Sequence, residues 1–510
     1  MSKQSIKVRF FFSLLSNVLR IIFLFIAGII VARSLGPANF GNFTFLFGSF
    51  AAISNLVNMG TSSAFYTFIS QAKRGLKFYF YYFCWFIIQF SIPLFLVLLL
   101  PEPLKQKIWL GHSKGLILLA LFASFSVNQM WRFAKQVGES LRDTINIQIR
   151  SVFLTTVYLA CVILLVTLKF NNIKGFFIIR GGLYLSFSLI YIRWLYRKAD
   201  LCLEKDENLS NVFDEFKSYC YPLVFYTFVG FLYTFADYWL LQRFGGPVQQ
   251  GYYAVGARFA TLSMLATTSI VQIFWKEIAE ANAQGNMERV RMLYHKISKG
   301  LYFVGAFFSC FLIYFSSEIL SVILGDSYRA AWLPLSIMFL YPVHQSLGQI
   351  TGTMLMATGR TKTKGIIGVA FMGISIITAY FVLAPRSALF PGLNLGAKGL
   401  ALKMVLCQLL DVNLMAFFVA KYIKTSFNWT FQIRVLLLLL LLGFASKICV
   451  QWILAVVSFP AHPILLMAVS GAFYSCGVAA LVYKFPSIAG IDRAQINHGL
   501  VWLRDRLKSI

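Results

Sequence analysis

Charged residues inside long apolar stretches are the side chains of this sequence that are best placed to do chemistry. A charge in hydrocarbon costs roughly 2.5–3.5 kcal/mol on insertion scales, so these residues are expected to face the protein interior or a water-filled cavity. Basic members outnumber acidic ones, and the planar guanidinium of Arg binds phosphate oxygens in pairs. The set therefore favours the binding of an anion. Its members are Arg20, Arg180, Arg258, Lys403, Lys447, Asp237 and Asp411.

The first apolar segment presents a stripe of polar residues around one of these arginines. Ser13, Asn17 and Arg20 follow helical spacing. Close packing of two helices does not require a guanidinium, so the stripe favours a cavity. A cavity lined by Arg, Tyr, Asn and Ser suits a large polar anionic substrate. Similar stripes on the second and seventh segments consist of Asn55, Asn58 and Ser62, and of Tyr226, Tyr233 and Asp237.

An apolar hairpin at residues 219–273 carries one charge on each arm, Asp237 and Arg258. Both residues lie about ten positions, or about 15 Å of helix, from Pro247 in the turn, so they are expected at similar depth. Two interpretations stay open. In the first, an ion pair neutralises both residues and locks the hairpin. In the second, a substrate phosphate competes for Arg258 while Asp237 takes up a proton or another cation.

The turn of this hairpin has a counterpart earlier in the chain. The frame R-x-x-G-P-x-x-x-G occurs at residues 33–41 and again at residues 243–251, each time between two apolar segments. This repeat predicts two homologous halves that face one site. An even number of spans returns the chain to the same side of the membrane, so the halves are expected to be parallel repeats. The alternative is that the turn recurs for packing reasons alone.

The composition places these elements in a membrane. The chain has 510 residues, of which 59% are hydrophobic and 13% charged, and its net charge is +28. Its apolar stretches of about twenty residues match the thickness of a bilayer core. Most Lys and Arg lie in alternate loops, which predicts that both termini are cytoplasmic and argues against a nucleic-acid partner. We predict an all-α polytopic protein of the bacterial inner membrane.

The hydropathy pattern predicts about fourteen transmembrane helices. They are expected at residues 10–32, 41–70, 78–100, 115–136, 147–168, 175–196, 219–243, 249–273, 297–324, 331–357, 363–384, 397–420, 435–457 and 462–484.

A polar stretch rich in carboxylates is the clearest break in this pattern and predicts a division into two lobes. We expect an N-terminal six-helix lobe (1–200), a cytoplasmic linker (201–217), and a C-terminal six-helix lobe (218–424). Two extra transmembrane helices follow (425–484). The tail (485–510) has apolar residues at spacings of three and four among basic ones, which predicts an amphipathic helix on the cytoplasmic surface of the membrane.

The sequence lacks the features of a membrane enzyme. The predicted external loops are short and hold few carboxylates, and no Walker A frame, H-E-x-x-H motif or cluster of metal ligands is present. The eight cysteines are scattered and form no C-x-x-C pair. We expect no enzymatic activity, no catalytic residue, no cofactor and no bound metal.

Several stretches resemble the polysaccharide transporter family of the MOP superfamily, the Wzx-type flippases of lipid-linked oligosaccharides. The resemblance rests on the order and spacing of these stretches and extends over nearly the whole chain. The stretches are ARSLGPANFGNF (32–43), GYYAVGARF (251–259), KEIAEANAQGNMERVRMLYHK (276–296), ILSVILGDSYRAAW (319–332), MATGRTK (356–362) and LGAKGLAL (395–402).

The resemblance implies a MATE-like, alternating-access bundle of two six-helix lobes with two extra C-terminal helices. The implied function is translocation of undecaprenyl-pyrophosphate-linked oligosaccharide for surface polysaccharides such as O-antigen or capsule. The pyrophosphate would meet Arg20 and Arg258, with Asn17, Asn55 and Tyr233 in the same cavity and Asp237 in coupling or an ion pair. Implied partners are the lipid-linked substrate, membrane lipids, a coupling proton or sodium ion, and polysaccharide polymerase and chain-length proteins.

Two other functions compete with this one. A cation-coupled drug exporter of the same superfamily predicts a cavity dominated by carboxylates, whereas basic residues outnumber acidic ones inside the spans of this chain. A membrane glycosyltransferase or polymerase predicts a large external loop with catalytic residues, and no such loop is evident.

Overall fold

The computed structural model describes residues 6–141, 143–198, 208–427, 429–457, 462–491 and 493, and within these ranges it is helical without strands. Eleven helical segments are long and apolar enough to cross a membrane. Every backbone amide in a lipid-exposed span must find a partner within the protein, which a helix achieves locally. The all-α prediction is confirmed.

The first half of the chain contains nine α-helices and a five-residue π-helical segment at Ser126–Met130. The helices are α1 (Ile6–Asn58), α2 (Thr61–Gln71), α3 (Leu76–Leu99), α4 (Glu102–Ile108), α5 (Lys114–Phe125), α6 (Trp131–Ser140), α7 (Thr144–Thr167), α8 (Ile173–Lys198) and α9 (Leu209–Leu240).

The second half begins after a π-helical segment at Leu241–Gly245. Its helices are α10 (Gly246–Ser263), α11 (Leu265–Ala283), α12 (Met287–Leu312), α13 (Ser316–Ile323), α14 (Trp332–Met338), α15 (Tyr341–Ala357), α16 (Thr361–Leu383), α17 (Gly396–Tyr422), α18 (Trp429–Val456) and α19 (Pro463–Lys484).

These helices account for the predicted number of about fourteen. Two of the eleven apolar segments, Phe12–Asn58 and Leu209–Ser263, have 47 and 55 residues, about twice the length that one crossing needs. Each is interrupted at a glycine with positive φ, Gly36 at 71° and Gly246 at 79°. The predicted helix at 331–357 is present as α14 and α15, which are separated at residues 339–340.

Helix ends differ from the predicted ones where polar residues cap or extend a helix. The side chain of Asn208 accepts a hydrogen bond from the Ser210 amide, so α9 begins at Leu209, well before the predicted start at 219. The eighth predicted helix, 249–273, is divided at Met264, and its second part extends to Ala283. The charged stretch at 276–296 is therefore mostly helical, with a turn at Gly285, where φ is 70°.

The chain divides into two compact units. Unit 1 comprises the described residues up to Ala254 together with Met372–Gly396, and unit 2 comprises Val255–Phe371 with the described residues from Ala397 onward. Each unit has an apolar core of its own, around Phe65, Tyr82 and Tyr191 in unit 1 and around Tyr302, Val343 and Tyr474 in unit 2. The lobe boundaries at 200, 217 and 424 stay a prediction. Residues 201–207, and the tail other than 485–491 and 493, lie outside the described residues.

The repeated frame R-x-x-G-P-x-x-x-G forms a reciprocal contact within unit 1. A Cβ atom added to Gly41 would lie 1.8 Å from the Pro247 carbonyl oxygen, and one added to Gly251 would lie 2.2 Å from the Pro37 carbonyl oxygen. The last glycine of each copy thus allows the backbone of the other copy to approach. Only glycine permits so close an approach, so the spacing of the repeat has a direct packing role.

Candidate functional site

The first predicted site residues, Asn17 and Arg20, are brought together on α1. The Arg20 Nη2 donates a hydrogen bond of 3.0 Å to the Asn17 Oδ1. Both side chains are half-buried, and the Arg20 Nε is buried and donates to none of the described residues. The amide orients one edge of the guanidinium and leaves further donor capacity for an anion.

A polar stripe on the π-helical segment Ser126–Met130 and α6 adds charge next to this arginine. The π-helical segment and α6 carry Asn128, Arg132, Lys135 and Glu139 at spacings of four and three, which place them on one face. The Lys135 Nζ lies 3.8 Å from the Glu139 Oε1. Lys135 is also near enough to Arg20 for their positive charges to interact. The stripe itself carries two cations, Arg132 and Lys135, and one carboxylate, Glu139, so with Arg20 nearby the local balance is positive.

Arg180 on α8 extends this positive region within unit 1. Its guanidinium lies over the Phe47 ring at 4.2 Å and near the Tyr158 ring at 5.8 Å from the centroids. Such contacts hold a cation by attraction to the ring face without neutralising it. The buried Tyr184 is within electrostatic range of both Arg180 and Arg20. We call Arg20, Lys135 and Arg180 the cationic row.

The cationic row spans the depth of unit 1. Lys135 lies about 8 Å of helix before the end of α6, and Arg180 lies about 10 Å of helix after the start of α8. The intervening α7 is long and apolar enough to cross the membrane, so these two helix ends are on opposite sides. Arg20 lies in the interior of the apolar segment that begins at Phe12. The three cations therefore lie at different depths of unit 1.

The polar stripe of the second segment has a structural role in part. The Asn58 Nδ2 donates to the Ser62 Oγ at 2.5 Å and to the Gln129 Oε1 at 3.2 Å. The Gln129 Nε2 in turn donates to the Ser54 carbonyl oxygen at 2.9 Å. This buried network ties α1 to the π-helical segment. The predicted site residue Asn55 is exposed on the same helix, and its role stays a prediction.

The remaining predicted site residues lie in both units. Tyr233 and Asp237 occupy one face of α9 in unit 1, where Asp237 is 8% exposed and Tyr233 is half-buried. Arg258 is half-buried on α10 and belongs to unit 2. Whether Asp237 and Arg258 form the ion pair stays a prediction.

Two basic residues of unit 2 lie near carboxylates. The Lys447 Nζ lies 2.5 Å from the Glu318 Oε1 and donates to the Tyr314 carbonyl oxygen. Lys364, at the start of α16, interacts electrostatically with Asp411 on α17. Each of these cations is near a carboxylate, whereas Arg20 and Arg180 of the cationic row contact an amide and aromatic rings. Lys403, which is 1% exposed, is buried in α17, and its Nζ lies 3.9 Å from the Met404 Sδ.

Sequence reasoning missed the part of the site on α6. The fourth predicted helix, 115–136, includes Arg132 and Lys135, but neither is among the charged residues singled out from the sequence. The helix continues to Ser140. The signal was present, because Asn128, Arg132 and Lys135 already follow helical spacing.

Comparisons with known proteins agree with this fold. Residues 8–275 match the family described as polysaccharide biosynthesis protein. No curated protein sequence matches the chain at a significant level.

Solved structures of the MOP superfamily resemble the chain at low sequence identity, which shows the fold. The lipid II flippase MurJ in an inward closed conformation superposes with a TM-score of 0.66 at 14% identity, covering 94% of this chain and 98% of MurJ. An inward-facing multidrug resistance MATE family transporter superposes with a TM-score of 0.59 at 15% identity, covering 79% of this chain and 94% of the transporter. A MOP superfamily transporter from Pyrococcus furiosus, with a binding pocket of reverse polarity, superposes with a TM-score of 0.54 at 15% identity. The match covers 82% of this chain and 95% of the Pyrococcus protein.

The family match extends over more than half of the 510 residues, and the helical architecture agrees with it. The chain therefore belongs to the polysaccharide biosynthesis protein family, and it is a multi-pass membrane protein whose fold resembles that of solved MOP-superfamily structures.

Proposed function

We propose that this protein is a transporter that flips undecaprenyl-pyrophosphate-linked oligosaccharide across the bacterial inner membrane for the synthesis of a surface polysaccharide. The observation that carries the proposal is the cationic row of Lys135, Arg20 and Arg180, which follows the depth of unit 1 with one nearby carboxylate, Glu139. A pyrophosphate is the strongest anion of such a substrate. Arg and Lys bind phosphate oxygens through charge-assisted hydrogen bonds.

The proposed mechanism separates the two ends of the substrate. The prenyl chain stays in hydrocarbon, while the pyrophosphate and sugars cross within a polar path. The cations offset the desolvation of the phosphates, which would otherwise prevent the crossing. Several cations that each bind the phosphates with moderate affinity suit transport better than one site of high affinity, since the substrate must bind and also leave. Asn17 orients Arg20, and Asn55 and Tyr233 would contact the sugars.

In the proposed cycle, the lobes at 1–200 and 218–424 expose the path to each side in turn, and both termini are cytoplasmic. Arg258 completes the phosphate site, and Asp237 takes up the coupling proton or sodium ion when phosphate engages Arg258. The extra helices at 425–484 accompany the lipid, and polymerase and chain-length proteins receive the product. These assignments are supported by residue chemistry and by family membership.

The experiment that tests the proposal begins with deletion of the gene. We expect the cells to lose a surface polysaccharide and to accumulate its lipid-linked repeat units on the cytoplasmic leaflet. Complementation with the Arg258→Ala variant should give normal membrane insertion but no transport. Normal surface glycan made by this variant at native expression would contradict the role of Arg258, and unchanged glycan after deletion would contradict the function itself.

A cation-coupled exporter is the second candidate, and a specific observation favours it. Asp411 is an intramembrane carboxylate of unit 2 whose Oδ1 is buried and accepts no hydrogen bond from the described residues. It interacts electrostatically with Lys364 and Tyr341. A carboxylate in this setting could bind a proton or an organic cation. Increased sensitivity to cationic drugs after gene deletion, with normal surface glycan, would favour this function over the flippase.

A further inference from the structure

A long groove runs along the outside of unit 1 between the N-terminal turn of α2, α3 and α9. Its volume is about 700 Å³, which is within the range of roughly 300–1,000 Å³ that is typical of ligand pockets. The groove is separate from the cationic row, because none of the residues of that row contributes to its lining. Its walls come from Tyr81 and Ile88 on α3 and from Phe213 and Val224 on α9.

The dimensions of the groove match one leaflet of a bilayer. The lining residues on α9 extend from Leu209 to Val224, a distance of about 22 Å along the helix. Half of a bilayer, including its headgroup region, is roughly 20–22 Å thick. The lining on α9 therefore covers about the thickness of one leaflet, with Lys217 about 12 Å of helix from Leu209 and about 10 Å from Val224. The apolar walls of the groove would contact the acyl chains.

The groove carries a basic residue about midway along its α9 wall, since Lys217 lies eight residues after Leu209 and seven before Val224. Lys217 is exposed, and it carries the one charge among the described residues that line the groove. Lys77 is exposed on α3, one helical turn before Tyr81, and helical spacing places it on the groove face. The nearby carboxylate Glu215 is already paired with Arg74, at 2.9 Å between the Oε2 and the Nη2. Asp214 is exposed next to this pair and is absent from the lining.

We propose that this groove binds an anionic phospholipid of the bilayer, with the acyl chains along α3 and α9 and the headgroup phosphate at Lys217. Basic residues that flank a groove between transmembrane helices are a known basis for recognition of anionic headgroups. The Arg74–Glu215 pair marks the level of the headgroup, because Arg74 lies just before the start of α3 and Glu215 lies on α9 two residues before Lys217. The bound lipid would stabilise the packing of α9 against α3. This site does not depend on the identity of the transported substrate.

The test uses full-length protein, purified in detergent and stripped of lipid, and native mass spectrometry to count bound lipids. The protein is titrated with dioleoylphosphatidylglycerol and, separately, with dioleoylphosphatidylcholine. We expect a preference of about fivefold for the anionic lipid, the amount that one basic residue contributes near an anionic surface. Equal affinity for the two lipids would overturn the proposal.

Two variants in the groove and one control variant test whether the lipid preference arises at this site. Lys217→Gln should reduce the preference nearly to parity, whereas the matched control Lys276→Gln, at an exposed lysine of unit 2 that does not line the groove, should retain it. Cys84→Phe places a ring in the groove and should weaken both lipids. Equal losses in Lys217→Gln and Lys276→Gln, or unaltered binding by Cys84→Phe, would overturn the assignment. Displacement of the phospholipid by a lower concentration of undecaprenyl phosphate would instead identify the groove as a prenyl-chain site and would also overturn it.

Discussion

The two Gly-Pro turns and the cationic row both belong to unit 1 but differ in sequence pattern and in the contacts they make. The turns repeat in sequence, fit backbone against backbone, and expose their repeated arginines, Arg33 and Arg243. The row has no repeat in sequence. Arg180 lies over an aromatic ring and Arg20 donates to an amide, contacts that leave their charge in place, whereas Lys135 lies 3.8 Å from the Glu139 carboxylate. The comparison teaches that the most visible repeat of this chain serves packing, while residues without a repeat supply the proposed chemistry.

The largest effect is expected where the turns meet. Gly41→Ala would place a Cβ atom 1.8 Å from the Pro247 carbonyl oxygen, and backbone atoms cannot move aside as a flexible side chain can. We expect a loss of more than about 4 kcal/mol in the free energy of unfolding, with little folded protein recovered. The yield of monodisperse protein in size-exclusion chromatography measures this effect.

A matched control is available on α9. Gly230 has no atom within 4 Å of the position that a Cβ would occupy, so Gly230→Ala should be tolerated or slightly stabilising because alanine favours a helix. Similar yields of Gly41→Ala and Gly230→Ala would contradict the packing role assigned to the turns.

The next effect concerns transport and leaves the fold intact. Arg20→Gln and Lys135→Gln each remove a charge from the cationic row while keeping a polar side chain of similar length. A hydrogen bond to a charged group contributes about 1.5–3 kcal/mol, so we expect a roughly tenfold to hundredfold loss of transport at unchanged yield. The measurement is the amount of surface glycan at native expression.

Arg243→Gln is the control for these two variants. Arg243 is exposed and belongs to the repeated turn, so its charge should not affect transport. If Arg243→Gln reduces the surface glycan as much as Arg20→Gln does, net charge and not the cationic row would explain the loss.

A cation that is paired with a carboxylate should, like the turns, contribute to the stability of the fold. Glu318→Gln leaves Lys447 without its counter-charge at a site where both side chains are 19% exposed. We expect a loss of about 2 kcal/mol in the free energy of unfolding, since an uncompensated charge remains half-buried. The thermal midpoint of the purified protein measures it.

The double variant Glu318→Gln with Lys447→Met sharpens this prediction. Removing both charges should recover most of the loss, because the cost comes from the charge left alone. A double variant that is less stable than Glu318→Gln would show that Lys447 contributes mainly through its hydrogen bond to the Tyr314 carbonyl oxygen.

The smallest effect is a pH dependence outside the membrane-spanning segments. His112 lies half-buried between α4 and α5 near Phe45, and burial lowers the pKa of its imidazole below the usual value of 6.5. The unfolded chain therefore binds a proton more readily than the folded one. The free energy of unfolding should be constant above pH 6.5 and should fall as the pH decreases below it.

Thermal midpoints between pH 7.5 and roughly 5 would check this trend. His112→Asn removes the titrating group and should reduce the difference between the thermal midpoints at the two pH values. An equal decrease in the wild-type protein and in His112→Asn would assign the pH dependence to other groups.

Most of the helical architecture could be predicted because it depends on local pattern. The apolar stretches gave the right number of crossings, since a span must satisfy its backbone amides by itself. Helix ends were less predictable where a cap such as Asn208 or a turn such as Gly285 lies within polar sequence. The site was predicted in part: Asn17 and Arg20 do meet, whereas Lys135 was overlooked at the border of a helix.

By itself, the sequence determined that this is a multi-pass helical protein with an excess of intramembrane positive charge, because hydropathy and composition are sums over neighbouring residues. Only the tertiary structure decided which charges are matched. Lys447 meets Glu318 across a separation of 129 residues, and Lys135 comes within electrostatic range of Arg20 from another helix. It also showed that Gly41 and Gly251 contact the opposite turns. Such contacts depend on how helices pack, and packing is set by the shape of many side chains at once and not by any local period.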